Sequence, residues 1–414
     1  MDKVRPAAGR GDPYANPELF DWLDSLEGAP DLLGPGETEA ERENWSEWQR
    51  RGNHFFALAG ATLPGLVLAF AIAVLGRTLA DLPNEVLGVT KAPLSPILVA
   101  ILLGLVVRNT IGLPSVFEAG LALSLKRILR VGVALLGIRL SLAAAGAISL
   151  VALPIVFGCI AMALFFVTRL GKLVGLPPRL TTLIAVGTAI CGNSAIVAMA
   201  PTIEATDDEV SYAVGCITLF GLVALMVHPF LAHSLFGGDP TLAGLFLGTA
   251  IHDTAQVAGA GLVYVAQFGT PETLDVATIT KLQRNMFMLA VIPLMAFTSQ
   301  RRQPNASLAA QVRAAIPFFV LGFLAMSLVR TVGDLGDEAF GLLDRSTWTA
   351  LISATTTTAT WCLTIAMAAV GLGTSFSRLK GLGLRPLGVG LAAATLVGVT
   401  SYVLVSFFGP YALR

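Results

Sequence analysis

Apolar runs of about twenty residues recur along this chain with charges gathered at their ends, and that spacing decides most of what it can fold into. About twenty residues of helix cross the ~30 Å hydrocarbon core of a bilayer. Only helices and closed barrels satisfy every backbone group there. Runs such as 62–76 and 147–168 do not alternate apolar with polar residues, so helices are the expected solution. A soluble domain is about a quarter charged because water must solvate its surface. Here 13% of 414 residues are charged and 55% are hydrophobic, so lipid takes the place of water. The expected fold is an all-α polytopic membrane protein, and a soluble enzyme is excluded. The 27 basic and 27 acidic residues cancel, and no nucleic-acid partner is expected.

Residues 1–53 form a polar tail, expected to be cytoplasmic. Its part from Thr38 to Arg51 reads as an amphipathic helix with Trp45 and Trp48 on one side, suited to the headgroup level. No apolar segment of the signal-peptide kind opens the chain within residues 1–50. After the tail the hydropathy pattern gives eleven spans, near 56–78, 94–113, 120–142, 146–168, 180–203, 211–235, 241–266, 281–299, 312–331, 347–371 and 386–409. Alternating loops then place about sixteen Lys and Arg on the tail's side and about seven on the other. That bias puts the N-terminus inside and the C-terminus outside a bacterial-type inner membrane, with the acidic loops 204–209 and 334–344 facing outward.

Short matches suggest an internal repeat. ILLGLVVRNT (101–110) in span two aligns with LFLGTAIHDT (245–254) in span seven, and the openings of spans three and eight both carry two basic residues. The implied organisation is an extra first helix with its loop (54–93) and two inverted five-helix repeats, 94–238 and 239–414. In that register span five corresponds to span ten. Span five contains GTAICGNSAI (187–196), with Gly192, Asn193 and Ser194 at mid-depth and Pro201 beyond. Span ten contains five threonines in SATTTTATW (353–361), Thr355, Thr356, Thr357 and Thr358 among them. Paired broken helices of this kind would present half-helix N-termini to an anionic substrate. Close packing of small residues is the alternative.

Span seven carries His252 and Asp253 deep in its sequence, with Gln256 one turn on. Ionisable groups at such depth are costly and hence candidates for coupling protons or a cation to transport. A third group is basic: Arg127, Arg130 and Arg139 in span three, with Gln283, Arg284 and Asn285 opening span eight. Arg139 and Arg284 are the candidates there to attract an anion, while Lys126 and Arg127 snorkel to the surface. His228 and His233 read as interfacial anchors. The four cysteines (Cys159, Cys191, Cys216, Cys362) lie in apolar segments at spacings that fit neither a metal site nor a disulfide framework. No cofactor or metal is expected.

The segments LKRILRVGVALLGIRLSL (125–142), GTAICGNSAIVA (187–198), GTAIHDTAQVAGAG (248–261), TKLQRNMFMLAVIPL (280–294) and GLGTSFSRLKGLGLRPL (371–387) closely resemble the YeiH-type sulfate exporter family. The resemblance covers about residues 58–409. It implies kinship with bile-acid symporter and cation/proton antiporter-like transporters, which have a scaffold domain, a core domain, and two broken helices crossing at the site. It also implies a homodimer. The expected function is secondary transport of a small anion, sulfate or sulfite first, coupled to H+ or Na+. No GxxxxGK[ST] motif occurs, which argues against an ATP-driven pump on this chain. A channel and an intramembrane hydrolase are the rival readings.

Overall fold

The computed structural model describes residues 47–87, 95–298, 318–336, 338–377 and 383–411. Most of the tail helix expected at 38–51 lies outside them. Among the described residues the chain is helical throughout, apart from one isolated bridge between Ala339 and Leu343. Among the described residues five helices are long and apolar enough to cross a membrane. The chain is an all-α polytopic membrane protein.

Helix α1 (Glu47–Leu87) runs unbroken for 41 residues. Helix α2 (Pro96–Thr110) starts on a proline, whose fixed φ and missing N–H cost nothing at a first turn. Span three is not one regular helix. It is built from α3 (Glu118–Leu123), a π turn (Ser124–Ile128), α4 (Leu129–Leu135) and a 3-10 turn (Leu136–Arg139). Helix α5 (Leu142–Val174) is capped by Ser141 and closed by Gly175 in the left-handed region.

Where α1 crosses α3, small residues let the backbones touch. A Cβ on Gly120 would lie 2.1 Å from the Thr62 carbonyl oxygen, and one on Gly65 would lie 2.0 Å from that of Phe117. Neither backbone can yield locally, so Gly120→Val should lower stability by about 3 kcal/mol or more. A fall in the Tm of the detergent-solubilised protein would show it; an unchanged Tm would mean the crossing is looser than drawn.

Spans five and seven depart from expectation. Span five is two half-helices, α6 (Pro178–Ala189) and α7 (Asn193–Met199), the latter continued by a 3-10 turn to Ile203. They fold back on each other: Ile196 packs on Gly187, and at the open end Arg179 meets Glu204 at 4.0 Å. This is a re-entrant hairpin, returning to the level where it began. The acidic loop 204–209 therefore lies on the same face as Arg179, not opposite it. Helix α8 (Asp207–Leu235), started by a Thr206–Glu209 capping box, then spans 29 residues, about 44 Å.

Span seven is likewise two half-helices, α9 (Pro240–Ala250) and α10 (Thr254–Phe268). Both pack on α11 (Pro271–Met286). Gly244 lies against Val276 and Gly248 against Thr280, so α9 runs parallel to α11. Gly261 lies against Leu274 while Thr254 bonds Asn285, so α10 runs antiparallel. Span seven is thus a second hairpin. Its open end stands beside the end of α8, where His233 contacts Tyr264 and stacks on Phe268 at 3.7 Å. Since α8 carries the chain from one open end to the other, the hairpins enter from opposite faces.

The rest is α12 (Met288–Thr298), α13 (Phe318–Gly333), α14 (Arg345–Gly373) and α15 (Leu384–Phe408). Span ten, expected to break, is the continuous 29-residue helix α14. Its threonines need no break: Thr358, Thr360 and Thr364 each donate to the carbonyl four residues back, at 2.8–3.0 Å. The partner of broken span five is span seven, not span ten. Where α13 meets α14, Asp334 takes bonds from Arg330 (2.5 Å) and Trp348 (2.9 Å). Partial burial pushes this carboxyl up, but those donors and the Arg345 charge outweigh it, so it sits below the usual carboxylate range.

By packing, the helices sort into two bodies. One is α1–α4 with α13 and α14; the other is α5–α12 with α15. They meet where α10 touches α2 and α14, and where α13 touches α5.

Candidate functional site

The two hairpin tips, 190–192 and 251–253, meet inside the second body. A Cβ on Gly192 would come 2.9 Å from Asp253 Oδ2. Half-helices that stop at such tips leave their last carbonyls without helical partners, and those ends carry partial negative charge. Two side chains of α11 answer both ends. Lys281 Nζ donates to the carbonyls of Ile190 (2.9 Å), Ile251 (3.0 Å) and His252. Arg284 donates through Nε to Ala189 (2.7 Å), through Nη1 to Thr249 (2.6 Å) and Ile251 (3.3 Å), and through Nη2 to Thr188. Both side chains are fully buried. The forked guanidinium suits Arg284 to hold two chain ends at once, which a single ammonium does less well.

On the other side of the tips lie the N-terminal ends of α7 and α10. Asp253 caps α10 by accepting from the Ala255 N–H at 2.8 Å, and Gln256 returns the capping-box bond to the Asp253 N–H at 3.2 Å. Gln256 also donates to the Thr218 carbonyl on α8, and Asn193 donates to the Thr218 hydroxyl, each at 3.3 Å. One residue of α8 thereby holds both hairpins. Asn285 donates to the Thr254 hydroxyl at 3.0 Å. Across the boundary between the bodies, exposed Arg130 of α4 is near enough to act on the Asp253 charge. The π turn that precedes it is a form of irregularity frequent at functional sites.

Several buried polar atoms here have no partner among the described residues: Asn193 Oδ1, Asn285 Oδ1, the Thr188 and Thr280 hydroxyls, and both ring nitrogens of His252. Such orphans are rare in folded proteins, and their gathering around two chain breaks marks a place where water or a ligand completes the bonding. Ser194 is exposed at the start of α7.

The residues singled out in the sequence fall into two sets. Gly192, Asn193, Ser194, His252, Asp253, Gln256 and Arg284 come together at the tips. Thr355, Thr356, Thr357 and Thr358 stay on the unbroken α14, where the next residue, Ala359, packs on Gly132 of α4 in the first body. Arg139 also lies elsewhere, forked onto Asp275 of α11 at 2.6 and 3.0 Å with a further bond to the Pro271 carbonyl. That pair joins the two bodies near the open end of the second hairpin. Removing either partner leaves the other half-buried charge alone, so Arg139→Gln and Asp275→Asn should each lower stability, with a double-mutant coupling of about 1–2 kcal/mol. Additive losses in the cycle would show that the pair contributes nothing as a pair. An apolar groove of about 410 Å³ beside α1, lined by Leu63, Pro64, Val67, Leu68, Ala71 and Phe117, has no polar group to do chemistry.

Sequence reading missed Lys281 as a member of the site, taking it only as one of the basic residues that open span eight. The signal was present: GTAI occurs at both 187–190 and 248–251, directly before each tip. Aligning those two tetrapeptides pairs span five with span seven.

Opposed re-entrant hairpins that meet at buried polar tips define the class: a polytopic helical membrane protein with two interrupted spans. Within it, the chain belongs to the family described as Conserved hypothetical protein 698, whose model matches residues 64–390. It is 32% identical over 349 residues to a UPF0324 membrane protein of Bacillus anthracis, covering 83% of this chain and 94% of that one. A UPF0324 membrane protein of Agrobacterium fabrum is 31% identical over 346 residues, covering 83% and 92%. One of Streptococcus agalactiae serotype V is 32% identical over 352 residues, covering 84% and 98%. No solved structure matches the chain.

Proposed function

We propose that the chain is a secondary active transporter of a small anion, with sulfate or sulfite the first candidates, working by movement of the hairpin-bearing body against the other. The observation that carries this reading is the charge at the tips. Lys281 and Arg284 neutralise the negative ends of α6 and α9, while the positive N-terminal ends of α7 and α10 stay in place. Against these stands one carboxylate, Asp253, already used as a cap. An anion is the ligand such a surplus favours. It would lie by Asn193 and Ser194, with His252 and Asp253 as the groups that couple H+ or Na+.

Opposed hairpins support alternating access, because each enters from one face and the two tips meet between them. The resemblance to the sulfate exporter and bile-acid symporter-like transporters agrees with the division into two bodies, and with it comes the proposal of a homodimer. The positive-inside bias supports an inner-membrane location with the N-terminus cytoplasmic. It strengthens once Lys281 and Arg284 are counted as buried rather than as outer charges.

The test is uptake of labelled sulfate and sulfite into proteoliposomes across an imposed pH gradient. Saturable, gradient-driven uptake is expected, lost in both Asn193→Ala and His252→Ala. Flux that persists in both variants would move the site elsewhere, and no anion flux under any gradient would end the anion reading.

A further inference from the structure

The ammonium of Lys281 is held in an unusual way. Its three hydrogen-bond partners are all backbone carbonyls, from Ile190 on one hairpin and Ile251 and His252 on the other. None is a carboxylate. Main-chain oxygens converging from two interrupted helices are the donor set with which membrane transporters bind a free alkali cation. Carbonyl dipoles alone can replace an ion's hydration shell. Here the lysine is fully buried, reaching the tips from α11.

We propose that Lys281 is a built-in cation: it permanently fills a carbonyl-lined monovalent-cation site that both hairpin tips form, so the tips are held together without any dissolved ion. Arg284 fits the same account one turn further along α11, serving the carbonyls of Thr188, Ala189, Thr249 and Ile251. Removing the Lys281 side chain empties the site and leaves the carbonyls in place. The protein then depends on a small cation from solution. The inference concerns how the tips are held and is independent of which solute is carried, so its test reads stability and not flux.

The test compares full-length wild type and Lys281→Ala in detergent, with Tm measured at constant ionic strength in sodium, potassium, n-propylammonium or tetramethylammonium chloride. Alanine keeps Cβ, so n-propylammonium matches the atoms removed, while tetramethylammonium is too large and has no N–H. Wild type should show no higher Tm in n-propylammonium than in tetramethylammonium. Lys281→Ala should have a lowered Tm, most of which n-propylammonium or one alkali ion restores and tetramethylammonium does not. A variant as stable as wild type, or one equally weak in all four salts, overturns the proposal. If Lys281→Ala yields no folded protein, Lys281→Arg and Lys281→Met decide. A folded arginine variant beside an unfolded methionine variant supports a cation requirement, and any other pattern overturns it.

Discussion

Replacing Arg284 by leucine is expected to leave little or no folded protein. The substitution looks conservative for a membrane helix, since it removes a charge from an apolar setting. What it leaves behind decides the outcome. The carbonyls of Thr188, Ala189 and Thr249 lose the donor they have in Arg284, deep in the second body. Each unsatisfied buried group costs about 1–3 kcal/mol, so three cost about 3–9 kcal/mol. That is comparable to the whole stability of a typical domain, about 5–15 kcal/mol. Exchanging a buried ionic group for an apolar one is harmless only when the partners are exchanged too, and backbone carbonyls cannot be. Arg284→Lys should lie between, because one ammonium cannot reach both hairpins with the spread of a guanidinium. Monodisperse yield and Tm in detergent measure the effect. A leucine variant that behaves as wild type would show that the tips do not need the guanidinium.

Gly192→Ala is expected to be nearly as damaging, for a steric reason. Gly192 holds φ 68° and ψ −126°, a conformation closed to residues with a Cβ. Such strain costs about 1–3 kcal/mol. The added methyl would also come 2.9 Å from Asp253 Oδ2 and 3.1 Å from its Cβ, forcing the second tip away. Folded protein is expected at reduced yield, with the proposed transport abolished because the two tips no longer meet. Adding Asp253→Gly should relieve the collision but not the backbone strain, so the double variant should recover part of the Tm and no more. Full recovery would show that the collision alone matters.

Two of the site's clusters were legible as sequence. An Asn–Ser pair behind glycines and a His–Asp pair inside apolar spans are costly placements, and both lie at the tips. The run of threonines misled for a physical reason. Hydroxyls that can rescue a broken helix can equally bond their own helix four residues back, and in α14 they do. Arg139 misled likewise: depth made it an anion candidate, whereas its charge is spent on Asp275, 136 positions away in the chain.

The sequence by itself determined that this chain lives in a bilayer as helices, because about twenty apolar residues between charges admit no other backbone solution. It also marked Gly192, Asn193 and Ser194 of span five as a place where regular helix would fail, whereas the break at His252 and Asp253 and the helix starts at Pro178, Pro240 and Pro271 are read from the structure. Only the tertiary structure decided that spans five and seven turn back instead of crossing. A hairpin and a crossing helix of the same length bury the same apolar residues, so composition cannot separate them. The direction after the break depends on a few torsions, such as those of Gly192, and on the neighbours that receive the returning half. Only the fold could decide, too, that Lys281 and Arg284 serve the carbonyl ends of two hairpins. Those carbonyls belong to the backbone, and a sequence of side chains does not show which of them will be left without a partner.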